Sequence, residues 1–313
     1  MEIRRLSPVF GAEIGGIQLA DLDAAEFAEL RKALADHEVL VLRHQDLDMA
    51  GQITFGERLG PLMVSPFSPN ADDAPQLMVL DYHRENFNPL TDIWHSDETY
   101  RAAPPLATVL RAVIVPQLGG NTLFTSMTAA YDGLSSRMKA HIGGLTARHD
   151  FGRFQYLFAN DPERLALIHR IELEHPHPDH PVVCVHPETG RPVLFVNWHF
   201  TTRINQLPDE EGRMILDYLR NRVLQPEYQL RIDWEPNTVV MWDNRSVQHY
   251  APKDYFPQRR RMERVTVAGH PPVADTATSE VAPVEVPIIG VGGVDLGPAP
   301  EGPTAVRQFE RTN

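Results

Sequence analysis

"WDNRSVQHYAPKDYFPQRRRMERVTVAG", residues 242 to 269, holds a short strand pattern, a tight "DNRS" turn, a second strand pattern and, after a loop, a third strand rich in arginine. In that third strand, "PQRRRMERVTV", β alternation sets Arg260, Met262 and Arg264 on one face and Arg259, Arg261 and Glu263 on the other. Two guanidinium groups then share a face. If that face looks into a cavity, each arginine calls for an oxyanion that it can grip in bidentate fashion. If it does not, the strand is a solvated basic edge that resists aggregation.

Working outward, the same kind of short apolar strand recurs in "QLMVLDY", "LATVLRAVIV", "PVVCVHP", "PVLFVNWHF" and "YQLRIDW", with turn signals such as "PETGRP" and "EPN" between them. Helical periodicity covers "DAAEFAELRKALADH", with Phe27, Leu30 and Leu34 on one stripe, and leads into the strand "EVLVLRHQ", an α-then-β opening. Further helices are predicted over "MAGQITFGERLG", "MTAAYDGLSSRMKAHIGGL" and "DEEGRMILDYLRNRV". The acids of the last are read as the negative first turn of a helix. Many short strands with a few helical insertions predict a mainly β chain, a sandwich or double-stranded β-helix (jelly roll) flanked by helices.

The 313 residues, 42% of them hydrophobic, suffice for a substantial core. A formal charge of −13 opposes a nucleic-acid backbone or an anionic membrane as partner. The single cysteine, Cys184, excludes an internal disulfide and, with no signal core at the start, fits a cytoplasmic protein. From about residue 271 the composition turns to Pro, Gly, Val and Ala. The chain is therefore divided into a catalytic domain, 1–270, and an extended C-terminal segment, 271–313, whose "VPIIGVGGV" is apolar enough to dock on the domain or on a neighbouring subunit.

The chemistry centres on "DIWHSDETY", where His95 precedes Asp97 by two residues, so that both side chains leave one face of an extended chain. The spacing alone is common: it recurs at His44/Asp46, His83/Glu85, His177/Asp179 and His186/Glu188. A β-sheet interior can bring in a third ligand from far along the chain, and His249 in "SVQHYA" is the candidate. Two histidines and one carboxylate leave open metal positions, the arrangement of non-haem Fe(II) oxygenases. The "EHPHPDHP" histidines 175, 177 and 180 are read as an extended loop, and Trp198 and His199 as packing or a border of the site.

"WHSDETYRAAPPLATVLRAVIVPQLGGNTLFTSMTAAY", "HPVVCVHPETGRPVLFVN", "FTTRI" and the 242–269 stretch together resemble the taurine dioxygenase/TfdA family of Fe(II)- and 2-oxoglutarate-dependent dioxygenases, from about Leu6 to Gly269. The resemblance implies that His95, Asp97 and His249 hold Fe(II), and that Thr122 and Arg260 bind the distal carboxylate of the 2-oxoglutarate cosubstrate. It further implies an aromatic near the iron at Trp242, a substrate-gripping Arg264, and a homo-oligomer, dimer or tetramer. Taurine's own contacts fall on Ser65, Ser68 and Thr91, which do not match. The expected substrate is therefore a bulkier small organic anion, an alkyl sulfate, sulfonate or aryloxyalkanoate, with Phe67, Phe151 and Phe154 as apolar walls. Two competing readings are a metal-binding jelly roll without oxygen chemistry, such as a cupin-like isomerase or sensor, and a metallohydrolase. The Thr122/Arg260 pair opposes the first, and the lack of an evident general base opposes the second.

Overall fold

The computed structural model describes residues 1–66, 70–86 and 91–276. Phe67, Ser68 and the tail from residue 277, with its "VPIIGVGGV", lie outside the described residues. The first part of the chain forms β1 (Glu2–Arg5), β2 (Ala12–Gly15), α1 (Ala24–His37), β3 (Val39–Leu42), α2 (Met49–Leu59), β4 (Asn70–Ala71) and β5 (Ala74–Tyr82). Next come β6 (Ala107–Ile114), β7 (Thr122–Ser126), α3 (Met127–Asp132), α4 (Ser136–Ile142), β8 (Thr146–His149), α5 (Gly152–Leu157) and α6 (Pro162–Glu174). The remainder holds β9 (Asp179–Pro181), β10 (Val183–Val185), β11 (Pro192–Leu194), β12 (Thr201–Ile204), α7 (Asp209–Arg220), β13 (Gln229–Ile232), β14 (Val239–Asp243), β15 (Val247–Tyr250) and β16 (Arg260–Val267).

The protein is mainly β with helices around the sheets. An eight-stranded sheet runs β1-β2-β3-β14-β6-β16-β5-β4, antiparallel throughout except between β2 and β3. A three-stranded sheet, β13-β7-β15, faces it. Strand alternation decides which side each residue serves. Val240 and Trp242 of β14, Leu110 and Ala112 of β6 and Met262 of β16 meet Phe124, Ile232 and Val247 of the smaller sheet in one buried layer. Their neighbours Met241, Val109 and Val265 point the other way and pack on Leu30 and Leu34 of α1 and Phe55 of α2. Each such buried side chain contributes about 1.5–3 kcal/mol relative to exposure, which fixes the register.

Helix starts follow capping chemistry. Asp23 and Glu26 form a reciprocal capping box on α1, Asp48 caps α2, and Asp161 caps α6 with Pro162 in its first turn. Acidic Asp209, Glu210 and Glu211 open α7 as expected. Two expectations need correction. The chain opens on the hairpin β1/β2, whose mixed charged sequence hid it, before α1. The helical stretch after β7 is two helices, because Gly133 closes α3. Past residue 270, Val273 accepts from the amide of Val185 and the Asp275 amide donates to the Val183 carbonyl, so that this stretch lies extended beside β10. Among the described residues no helix is long and apolar enough to cross a membrane.

Candidate metal centre

Backbone pairing builds the site. His95 lies in a loop, but its amide donates to the His249 carbonyl at 3.1 Å and the His249 amide returns the bond to His95 at 2.8 Å. This antiparallel bridge lays the two imidazoles side by side, with ring centroids 4.2 Å apart. Asn244, in the "DNRS" turn, holds the next residues: its side-chain oxygen accepts from the Asp97 amide at 2.6 Å and its nitrogen donates to the Asp97 carbonyl at 3.0 Å. Ser96 donates to the Val247 carbonyl at 2.8 Å. Both ends of the His95–Asp97 segment are thereby stitched to the β14–β15 turn.

The result is a set of three ligand atoms, from His95, Asp97 and His249, all within 4.8 Å of one another, the one such cluster among the described residues. Asp97 Oδ1 stands 3.7 Å from His95 Nε2 and 3.8 Å from His249 Nε2. These separations are too wide for hydrogen bonds and leave room for a cation between them. His95 Nδ1 lies 2.7 Å from the Ile93 carbonyl, so it carries the proton and frees Nε2 to ligate. Burial pulls both imidazoles below their ordinary value, His249 down to about 3 with His95 adding to the effect. A neutral imidazole is the form a metal binds. Burial opposes ionisation of Asp97, yet the Arg264 guanidinium beside it, the His249 and His95 rings and the Thr108 hydroxyl together outweigh burial and hold its carboxyl well below the usual range. Thr108 donates to Oδ2 at 3.0 Å and Arg264 Nη2 lies 2.8 Å from the same oxygen. Oδ1 is left for the ion. The donor set and its orientation fit a divalent metal with open positions.

Two cavities meet at this centre. The smaller, about 60 Å³, is lined by His95, His249, Thr122, Trp242, Arg260 and Tyr255 among others. Thr122 is buried, and its hydroxyl oxygen accepts from Trp234 Nε1 at 3.0 Å, which leaves the hydroxyl proton to donate elsewhere. Arg260 is only 6% exposed, and its Nε donates to the Gly120 carbonyl at 3.0 Å. Among the described residues no acidic side chain pairs with it, and burial pulls its pKa down. By contrast Arg259 is bound to Asp81 at the surface, and Arg261 reaches Glu263 on the far face at 3.0 Å. The alternation read from the sequence is thus the one observed. Trp242 stands beside His249, centroids 4.8 Å apart.

The larger cleft, about 320 Å³, opens on the other side of His95 and Asp97 and is lined by Ser65, Thr91, Phe154 and Arg264 of the expected residues. Thr91 donates to the Ala251 carbonyl at 3.3 Å. Phe151 is fully buried behind Phe154, packed on Tyr100 and Phe200, and does not line the cleft. Arg264 also departs from expectation: it has an internal partner in Asp97 and need not wait for an external anion, although it still faces the cleft.

Several contributors were missed by sequence reasoning. Phe158, just past α5, and Arg164 and Ile168 of α6 come from a segment whose Asp161–Pro162 helix-start signal went unused. Thr108 shares the inward alternation of Leu110 and was legible in principle; Asn244 and Glu98 carried no local signal. His199 stacks on His95 at 4.8 Å and borders the cleft, and burial holds its imidazole well below the ordinary value. The 175–180 histidines serve elsewhere: His175 meets Arg101 at 3.1 Å, His177 lies 3.3 Å from Glu172, and His180 lies 3.0 Å from the carbonyls of Thr99 and Arg101.

Residues 2–266 match the family profile "Taurine catabolism dioxygenase TauD, TfdA family". The chain is 34% identical over 276 residues to an alkylsulfatase of Acinetobacter baylyi, covering 86% of this chain and 85% of that protein. It is 33% identical over 279 residues to an alpha-ketoglutarate-dependent sulfate ester dioxygenase of Pseudomonas putida, covering 87% and 91%. A taurine dioxygenase crystal structure from Burkholderia xenovorans superposes with a TM-score of 0.74 at 31% identity, covering 87% of this chain and 92% of that one.

Proposed function

Because the chain belongs to the taurine dioxygenase/TfdA family, we propose that it is an Fe(II)- and 2-oxoglutarate-dependent dioxygenase, an oxidoreductase that hydroxylates a small organic anion and forms succinate and CO2. The sandwich of the eight- and three-stranded sheets is then a double-stranded β-helix. The observation that carries the reading is Arg260: a buried guanidinium with no acidic partner among the described residues, facing a small cavity that also reaches two of the three ligating side chains. A buried cation of this kind needs an anion, and the distal carboxylate of 2-oxoglutarate supplies one.

Bound iron supplies the centre at which the keto acid and oxygen react to generate an oxidant for a substrate C–H bond. The chain's own residues do the rest. His95, Asp97 and His249 hold the ion on one side and leave the other open. The Ile93 carbonyl fixes the His95 ring, while Thr108 and Arg264 keep Asp97 ionised and turned. Arg260 and the Thr122 hydroxyl grip the cosubstrate, and Trp242 and Tyr255 wall it from water. In the larger cleft Arg264 meets the substrate's charged group, with Ser65, Thr91 and Phe154 around it. Where the hydroxylated carbon bears a sulfate or phenoxy oxygen, the product collapses and releases that group.

The substrate is read as an alkyl sulfate, sulfonate or aryloxyalkanoate, since apolar Phe154, Phe158, Leu167 and Ile168 line the cleft beside Arg264. The assembly as a dimer or tetramer in the cytoplasm belongs to the same proposal. The test is substrate-stimulated succinate release across those compound classes. A neutral or cationic compound turned over best, with Arg264→Ala leaving its KM unchanged, overturns the substrate reading; absence of succinate with every compound and Fe(II) overturns the reaction.

A further inference from the structure

Besides the ligand Asp97, one acidic side chain interrupts the apolar wall of the larger cleft. Glu98 follows Asp97 directly, is 8% exposed, and lines the same cleft as Arg264. Its backbone is left-handed, φ 45°, a conformation a residue with a side chain adopts only when its surroundings impose it. Only one of its oxygens is used by the protein: Oε2 accepts from Arg101 Nε at 2.5 Å and from Tyr100 Oη at 3.1 Å. Oε1 makes no hydrogen bond among the described residues.

We propose that Glu98 is a specificity-determining residue whose Oε1 accepts a hydrogen bond from a donor group on the substrate, so that the preferred substrate is an organic anion bearing a second, hydroxyl or ammonium, group. The inference rests on the reading above that Arg264 meets the anion. The physical reason is desolvation. A plain alkyl tail lying along Phe154, Phe158, Leu167 and Ile168 strips water from Glu98 and returns nothing, whereas a donor replaces that water. A site with a buried acceptor therefore discriminates against the analogue that lacks the donor. Arg101 already balances the Glu98 charge, so a neutral hydroxyl is accommodated as well as a cation.

The experiment is anaerobic titration calorimetry of the Fe(II)- and 2-oxoglutarate-loaded protein with alkyl sulfates from propyl to octyl and with the ω-hydroxy and ω-amino compounds of each length. At the fitting length, a donor-bearing sulfate is expected to bind roughly tenfold or more tightly than its plain counterpart. The two arms show which donor is preferred. Glu98→Ala should bring the ratio to within about twofold, and Glu98→Gln should selectively weaken the ammonium arm by removing the charge. A purely structural role, in which Glu98 only tethers Tyr100 and Arg101, would lower both affinities and keep their ratio. A ratio near one at every length in the native protein, or a ratio unchanged in Glu98→Ala, overturns the proposal while leaving dioxygenase turnover intact. If no sulfate binds but a neutral compound is turned over, the anion reading fails and this inference falls with it.

Discussion

Replacing Arg260 with methionine separates what the residue costs the fold from what it does for the cosubstrate. In the ligand-free protein its guanidinium is nearly fully buried, donates one hydrogen bond to the Gly120 carbonyl and has no acidic partner among the described residues. Methionine removes an uncompensated buried charge, which favours the fold, and forfeits a hydrogen bond worth about 1 kcal/mol. The ligand-free Tm should therefore be no lower than that of the native protein. The cosubstrate tells the opposite story: deleting one partner of a desolvated charge pair costs about 3–5 kcal/mol, at least about a hundredfold in affinity at roughly 1.4 kcal/mol per decade. Arg259→Met, on the outward face against Asp81, should leave the 2-oxoglutarate requirement where it was. The assay pairs thermal unfolding without ligands with the KM for 2-oxoglutarate in succinate release. Equal KM changes at Arg259 and Arg260, or a Tm that falls at Arg260 while KM stays constant, would refute the assignment of this guanidinium to the cosubstrate.

His95→Ala, Asp97→Ala and His249→Ala should each abolish oxygen uptake and lower bound iron, measured by metal analysis after Fe(II) reconstitution; full activity in any one removes it from the ligand set. Thr122→Val keeps the volume but removes the donor and strands Trp234 Nε1, so the KM for 2-oxoglutarate should rise about tenfold and stability fall by about 1–3 kcal/mol, both read on one preparation. Glu38 is buried with Oε2 unpaired, and burial pushes its carboxyl up to about 7 from an ordinary 4.5. A raised folded-state pKa means that its contribution is complete below about 4.5 and is lost as pH climbs through about 7. Glu38→Gln should remove that loss, worth up to about 3 kcal/mol, and flatten Tm between pH 5 and 8; a native and variant Tm that fall in parallel would reject the account.

Local chemistry alone determined much of this protein. Alternation in β14 and β16 assigned each residue to the sheet-to-sheet layer or to the helices, because a one-residue slip would exchange Trp242 and Met262 for the opposite face. The same alternation separated Arg260 and Arg264 from Arg259 and Arg261, while the capping residues Asp23 and Asp48 marked α1 and α2 and an acidic first turn marked α7. The His-x-Asp/Glu spacing, which occurs five times, could not pick its own metal site. That choice required the His95–His249 bridge and the Asn244 clamp, contacts between segments distant in the chain that no periodicity encodes. Tertiary structure likewise decided that Arg264 pairs with Asp97, that Phe151 is core while Phe154 lines the cleft, and that Glu98 lines it too. Alternation tells a side chain which face it leaves from, and only the packed neighbours determine what it meets there.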